Sequence, residues 1–386
     1  MHADTNPAIH QTHVLTWDYL GGTNGTHKVA WSQAALWLTW AMTGPVDSVP
    51  IKAAGMKTIF YSDPNRQSPG DPLYNNDETT FAHDCSGNRI YTLVHPGQAI
   101  MSMPSTKLHN LWKQYIQMIY TYGVFDAVYD DQSDEVQNAT GTPCNFDQTA
   151  WSAASNAMNI DLGEPIIYNS LGNFSGSGKS LGISPTIALN ASTLGGEAEG
   201  CYAAHSTTNP KPAGAVWQAY ENTEITMHLA HKPFLCEGAN HNDSASSTDL
   251  RLYMYASFLL TYSRYQSMIS EQFATPTGFH VEPESQLVPT TPLVLLPASI
   301  SGLQHAPGVY GREFAACYLD GVPVGACASV VNSNTAGVSG AFPWPGKYAH
   351  TLVLSGSGVL DGGTVSASGP APPAQIAGNE AVIAIQ

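Results

Sequence analysis

The stretch Leu108-His-Asn-Leu-Trp-Lys-Gln-Tyr-Ile-Gln-Met-Ile-Tyr-Thr-Tyr122, continued by Gly123-Val-Phe-Asp-Ala-Val-Tyr-Asp130-Asp131, decides the fold. In its first part the apolar side chains fall at Leu108, Leu111, Trp112, Tyr115, Ile116 and Ile119. That spacing draws one stripe along a helix, so an amphipathic helix is predicted. Gly123 ends it. The second part is a short apolar run closing on two carboxylates, as a strand buried on both faces reads.

The same unit recurs on either side. Strands are predicted at His13–Asp18, Lys57–Asp63, Arg89–Val94, Phe125–Asp131, Pro165–Asn169, Ser192–Tyr202, Pro233–Glu237 and Gln266–Glu271. Helices are predicted at Trp31–Met42, Leu108–Tyr122, Thr149–Met158, Val216–Ala230 and Leu250–Tyr262. Strands and helices alternating in this way predict an α/β fold, a closed (β/α)8 TIM barrel. An open doubly wound sheet is the alternative, and no Gly-x-Gly-x-x-Gly after a strand supports it. Near residue 285 the pattern changes. Pro289, Pro292 and Pro297 interrupt the chain, and short alternating runs with Gly, Asn and Pro turns follow. The expectation is a barrel over residues 1–284 and an all-β antiparallel sandwich over residues 285–386.

Composition narrows the function. Of 386 residues, 43% are apolar, enough for a large core, and only 11% are charged. The 14 basic and 30 acidic residues give a formal net charge of −16, and no cluster of Lys and Arg is present to track phosphates or an anionic membrane. Nucleic acid and membrane are therefore excluded as partners. A sparsely charged surface suits a secreted protein, and the start of the chain lacks a signal peptide, so a leader removed upstream is expected. The six cysteines show no Cys-x-x-Cys spacing. An even count points to disulfides, with Cys317 and Cys327 the best pair because they flank one predicted hairpin. Buried free thiols are the alternative. No metal or cofactor is expected, and oligomeric state leaves no signal in the sequence.

In a (β/α)8 barrel the chemistry sits at the C-terminal ends of the strands. The predicted ends carry Asp18, Asp63, Asp130 with Asp131, Glu197 with Glu199, Glu237 and Glu271, with Trp17, Tyr61, Tyr168 and Asn169 beside them. Carboxylates bond sugar hydroxyls, aromatic faces stack on pyranose rings, and glycoside hydrolysis needs a proton donor and a base or nucleophile. Asp130 is assigned as nucleophile or base, Glu199 as general acid and Glu237 as a second acid. Trp17, Asp18, Tyr61, Asp63, Asp131, Tyr168, Asn169, Glu197 and Glu271 are assigned to substrate binding. For Asp130 and Asp131 the plain alternative is a helix cap after the strand. For Glu197 and Glu199 it is a pair of solvated loop acids.

Gly123-Val, Asp126 and Tyr129-Asp130 resemble the fourth-strand motif of retaining α-galactosidase-type barrels, and Gly55-Met-Lys-Thr-Ile-Phe-Tyr61-Ser-Asp63 resembles their second strand. The resemblance implies a retaining glycoside hydrolase with Asp130 as nucleophile, Tyr61 beside the sugar and a C-terminal β domain. The family's acid after strand six is an Asp; here the segment reads Thr193-Leu-Gly-Gly-Glu197-Ala-Glu199. The expected function is hydrolysis of an oligo- or polysaccharide by a carboxylate pair. The alternatives are a non-catalytic carbohydrate-binding barrel, and a metal-dependent polysaccharide esterase or deacetylase in which His83 or His241 meets Asp130 or Asp131.

Overall fold

The computed structural model describes residues 12–19, 29–93, 95–131, 136, 139–169, 171–172, 174–179, 181, 183–203, 210–240, 248–273, 281–356, 358–359 and 362–386. At residues 18, 19, 239, 240 and 271–273 only the main chain is described. Eight parallel strands close into a barrel in chain order: β1 Leu15–Tyr19, β2 Trp40–Met42, β3 Lys57–Ser62, β4 Ala127–Asp130, β5 Ile166–Tyr168, β6 Thr193–Glu199, β7 Phe234–Asn240 and β8 Ser267–Phe273, with β8 pairing back onto β1. The helices outside it are α1 Trp31–Ala34, α2 Pro45–Ala53, α3 Thr106–Tyr122, α4 Gln148–Leu162, α5 Pro185–Ala188, α6 Gly214–Leu229 and α7 Thr248–Thr261.

The expected fold class is the one observed, with one strand exchanged. Trp31–Met42 was expected to be helical throughout, but only α1 is, and Trp40–Met42 is the second barrel strand. Trp40 and Met42 fill the barrel interior while Ala41 packs under the helices. A segment buried on both faces has no period to separate it from a buried helix. Of the expected strand Arg89–Val94, Arg89, Tyr91 and Thr92 make isolated bridges to His83, Ala99 and Ala139 in the excursion between β3 and α3. Lys57–Ser62, compared above with a second strand, is accordingly the third.

Strand side chains alternate across the barrel wall. Leu15, Trp17, Trp40, Met42, Ile59, Ala127, Tyr129, Ile167, Leu235 and Met268 fill the interior. Phe60, Val128, Ile166, Phe234, Cys236 and Ile269 face the helices. Helix α3 shows why the outer layer holds. Ser105 caps it by accepting from Leu108 N, and Leu108, Trp112, Ile116 and Ile119 form its buried stripe. Trp112 Nε1 donates to Ser62 Oγ at 2.9 Å, tying α3 to the end of β3. On β7, the space a Cβ at Gly238 would take is filled by the Met254 thioether of α7, 2.3 Å from that position.

Beyond β8 come β9 Leu287–Pro292, β10 Gln304–Ala306, β11 Val309–Leu319, β12 Val322–Asn332, β13 Gly340–Ala341, β14 His350–Thr351, β15 Val353–Ser355, β16 Thr364–Ser366, β17 Gln375–Ile376 and β18 Glu380–Ile385. A six-stranded antiparallel sheet runs β9-β11-β12-β18-β14, with β10 on β11, and β13–β17 and β15–β16 form two ribbons. Period-two alternation again divides the faces. Cys327, Val331, Ile383 and Ile385 join the barrel-side core, while Ala328, Val330 and Ala384 pack under Phe342, Tyr348 and Ile376. Arg312 Nη1 donates to the carbonyls of Leu260 and Tyr262 at 3.0 and 2.9 Å, placing a cation at the C-terminal end of α7. Three disulfides form: Cys85–Cys144, Cys201–Cys236 and the expected Cys317–Cys327. No helix among the described residues is long and apolar enough to cross a membrane.

Candidate active site

The interior parity of β3, β4, β6 and β7, carried to their C-terminal ends, brings Tyr61, Tyr129, Asp131, Glu197, Glu199 and Glu237 to one rim. The register supports this: Tyr61 lies opposite Tyr129, Glu197 opposite the interior residue Leu235, and Glu199 opposite Glu237. Asp131 is the centre of one group. Tyr61 Oη donates to its Oδ2 at 2.5 Å and Asn169 Nδ2 donates to its Oδ1 at 2.5 Å. Two donors favour the ionised carboxylate. The Tyr61 and Tyr129 rings are stacked, 6.0 Å between centroids.

The second group is a carboxyl trio. Glu197 is fully buried at 0% exposure and Glu237 is 2% exposed, whereas Glu199 is open to solvent. Burial pushes the Glu197 carboxyl well above its ordinary value, and Glu237 and Glu199 push it further. The hydrogen bond from Tyr129 Oη, 3.1 Å, opposes them. Carboxyls gathered in this way oppose one another's ionisation, which is the environment of a proton donor. Covalent geometry fixes two of its members in place. The Cys201–Cys236 disulfide and a 2.9 Å bond from Cys201 N to Glu237 O join the ends of β6 and β7. At the edge of the rim, burial and then Asp131 raise Asp63, while Arg66 acts against them. Tyr61 is raised by burial, Asp131 and Asp63.

Asp130 and Tyr168 are not brought to this rim. Asp130 is 1% exposed and accepts from Asn159 Nδ2 of α4 at 2.7 Å, so it points between barrel and helix. Alternation explains it, since its neighbours Tyr129 and Asp131 occupy the interior side. Tyr168 likewise turns outward, its hydroxyl donating to Asn156 Oδ1 at 3.1 Å and accepting from Asn190 Nδ2 at 2.7 Å. Trp17 is buried within the barrel interior, packed with Trp40 and Tyr129. Asp18 and Glu271 lie on β1 and β8, and their side chains fall outside the described residues, as His241 does entirely. His83 sits in the excursion after β3 and pairs with Glu78 at 3.0 Å. Arg66, Gln98 and Tyr115, which line a pocket beside Tyr61, were not identified from sequence. Arg66, one of 14 basic residues and three positions after Asp63, was the available signal.

No family model and no curated protein matches the sequence. Solved structures with a similar backbone include glycoside hydrolases. Aspergillus fumigatus Ega3, in complex with galactosamine, is 11% identical with a TM-score of 0.44, covering 69% of this chain and 93% of that chain. The glycoside hydrolase domain of PelA from Pseudomonas aeruginosa is 9% identical with a TM-score of 0.44, covering 67% and 94%. The GH36 α-galactosidase AgaB from Geobacillus stearothermophilus is 8% identical with a TM-score of 0.46, covering 97% of this chain and 55% of that chain.

Proposed function

We propose that the protein is a glycoside hydrolase acting on an oligo- or polysaccharide, with Asp131 as nucleophile and the Glu197–Glu199–Glu237 trio as proton source. The observation that carries this reading is the pairing at one rim of two opposite environments. Asp131 accepts two hydrogen bonds, which favour its ionised form, and burial and neighbouring carboxyls raise Glu197, which favours its protonated form. Glu199, the exposed member of the trio, is the group placed to deliver the proton.

In the first step Asp131 attacks the anomeric carbon, the bond to the leaving oxygen breaks, and Glu199, which in this reading enters the step as the carboxylic acid, gives its proton to that oxygen and is left as the carboxylate. In the second step Glu199 takes a proton from water, whose oxygen displaces Asp131 from the anomeric carbon with overall retention. Asp130, assigned to the nucleophile's place on sequence, becomes in this reading a support of the β4–α4 contact. Three disulfides favour an oxidising compartment, in keeping with secretion. We take residues 1–284 as the catalytic barrel and 285–386 as a β region covering its α6–α7 side.

The test is a hydrolysis screen of 4-nitrophenyl glycosides and of plant and microbial polysaccharides, with wild type, Asp131→Asn and Asp130→Asn in parallel. Sugar release by wild type and Asp130→Asn but not by Asp131→Asn is expected. Release by Asp131→Asn at the wild-type rate would refute the assignment, and no release by wild type from any substrate would favour a carbohydrate-binding barrel.

A further inference from the structure

Beside the rim, on the β3 side, a pocket of about 220 Å³ is lined by Tyr61, Asp63, Arg66, Asp71, Gln98 and Tyr115, among others. It is smaller than the roughly 300–1,000 Å³ of a typical small-molecule site, and so fits one ring rather than several. We infer that this pocket is a subsite for one uncharged hexopyranose ring, adjoining the ring held at Asp131. The inference rests on the glycosidase reading and adds that the enzyme engages its substrate over at least two rings.

Three features carry it. The pocket adjoins the rim, because Tyr61 forms part of its wall and bonds Asp131 through its hydroxyl. Its chemistry suits a polyol. Two aromatic side chains, Tyr61 and Tyr115, line it beside the polar side chains of Arg66, Asp63, Asp71 and Gln98, the mix of ring surface with donors and acceptors that a pyranose and its hydroxyls need. Gln98 Oε1 is buried behind the wall with no hydrogen-bond donor among the described residues, so a rotation of its amide would present that unsatisfied acceptor to a sugar hydroxyl. With Asp63 and Asp71 beside the single guanidinium the wall carries no surplus of positive charge, which disfavours an anionic ring. The wall is also preformed. Asp63 Oδ1 accepts from Asn65 N and Arg66 N at 3.0 and 2.9 Å, and Gln67 Oε1 accepts from Leu73 N at 2.9 Å. The strip Arg66–Gln67 pairs with Ala99–Ile100, so Arg66 and Gln98 are held from two sides of one ribbon. A preorganised wall loses little freedom on binding.

The test uses Tyr115→Ala and, because Tyr115 also packs on Phe60 at 6.0 Å, Gln98→Leu as a second variant of nearly unchanged volume. kcat/KM is measured on 4-nitrophenyl monoglycosides and on α- and β-linked hexaoses of glucose and galactose. Each variant is expected to lose at least tenfold more on the hydrolysed hexaose than on the monoglycoside, mainly through KM. Equal losses on both substrates, or none on either, overturn the subsite. Calorimetric titration of the same hexaoses into wild type and both variants separates this result from failure of the hydrolase reading. Binding weakened tenfold or more in the variants upholds the subsite even without turnover, and no binding of any hexaose by wild type overturns it.

Discussion

Tyr129 Oη donates to Glu197 Oε2 at 3.1 Å, joining β4 to β6 across the barrel interior and past the intervening strand β5. The bond sits beneath the rim, where the aromatic floor formed with Tyr61 meets the carboxyl trio. It also favours ionisation of Glu197, whereas burial, Glu237, Glu199 and Asp131 all oppose it.

Tyr129→Phe removes that bond while keeping the ring. Glu197 is then expected to hold its proton to higher pH. The alkaline limb of kcat/KM should move upward by about 0.7 pH unit, the equivalent of a hydrogen bond worth ~1 kcal/mol. A pH–rate profile of the two proteins checks this. An unmoved alkaline limb would separate Glu197 from the proton source.

Asp130 and Asp131, adjacent in sequence, are expected to fail in different ways. Asp131→Asn should lower turnover on the order of 10³-fold with little change in stability. Asp130→Ala should cost about 1–3 kcal/mol, because it strands the buried Asn159 amide that now donates to it. Turnover and denaturant unfolding of both variants check the pair. A stable, inactive Asp130→Ala would reverse the assignment.

The same two residues show how far the sequence could be read. The alternation of strands and helices identified the barrel and the concentration of acids at its rim, because both follow from runs several residues long. Which of two neighbouring carboxylates faces the interior depends on strand register to the single residue. A strand that begins one position later exchanges Asp130 for Asp131. Trp40–Met42 was missed for a related reason, being buried on both faces and without a period. Arg66, Gln98 and Tyr115 reach one pocket from three parts of the chain, and only the ribbon and the packing of α3 bring them together.

The disulfides are expected to differ in worth. Cys85–Cys144 spans 59 residues and Cys317–Cys327 spans 10. On chain entropy the first contributes about 4 kcal/mol and the second about 3 kcal/mol. Double Cys→Ser variants, unfolded in guanidinium under non-reducing conditions, should lose stability in that order. A reversed order would show that native contacts around the Cys317–Cys327 hairpin outweigh loop closure.

The last prediction concerns the buried acid cluster behind the barrel. Glu224 of α6 is 0% exposed and accepts from Ser267 Oγ at 3.1 Å and Tyr202 Oη at 3.2 Å. Burial raises its carboxyl to about 7, against 4.5 ordinarily. Glu221, one turn earlier, is also raised by burial, and Arg312 from the C-terminal sheet opposes both shifts. Between pH 4.5 and about 7 the folded state therefore binds more protons at Glu224 than the unfolded chain does. Its contribution is complete below pH 4.5 and is lost as pH rises through about 7. His228, lowered by burial to about 3, works in the opposite sense, losing its contribution as pH falls below 6.5. The difference between Glu224→Gln and wild type reads the glutamate together with its contacts to Glu221 and His228, which lies 3.7 Å away. Gln mimics the protonated acid, so the variant should gain on wild type by on the order of 3 kcal/mol between pH 4.5 and pH 8. Denaturant unfolding at both pH values measures it. A difference that stays constant would mean that Glu224 ionises in the fold as readily as in the unfolded chain, which would require Arg312 to compensate its burial fully.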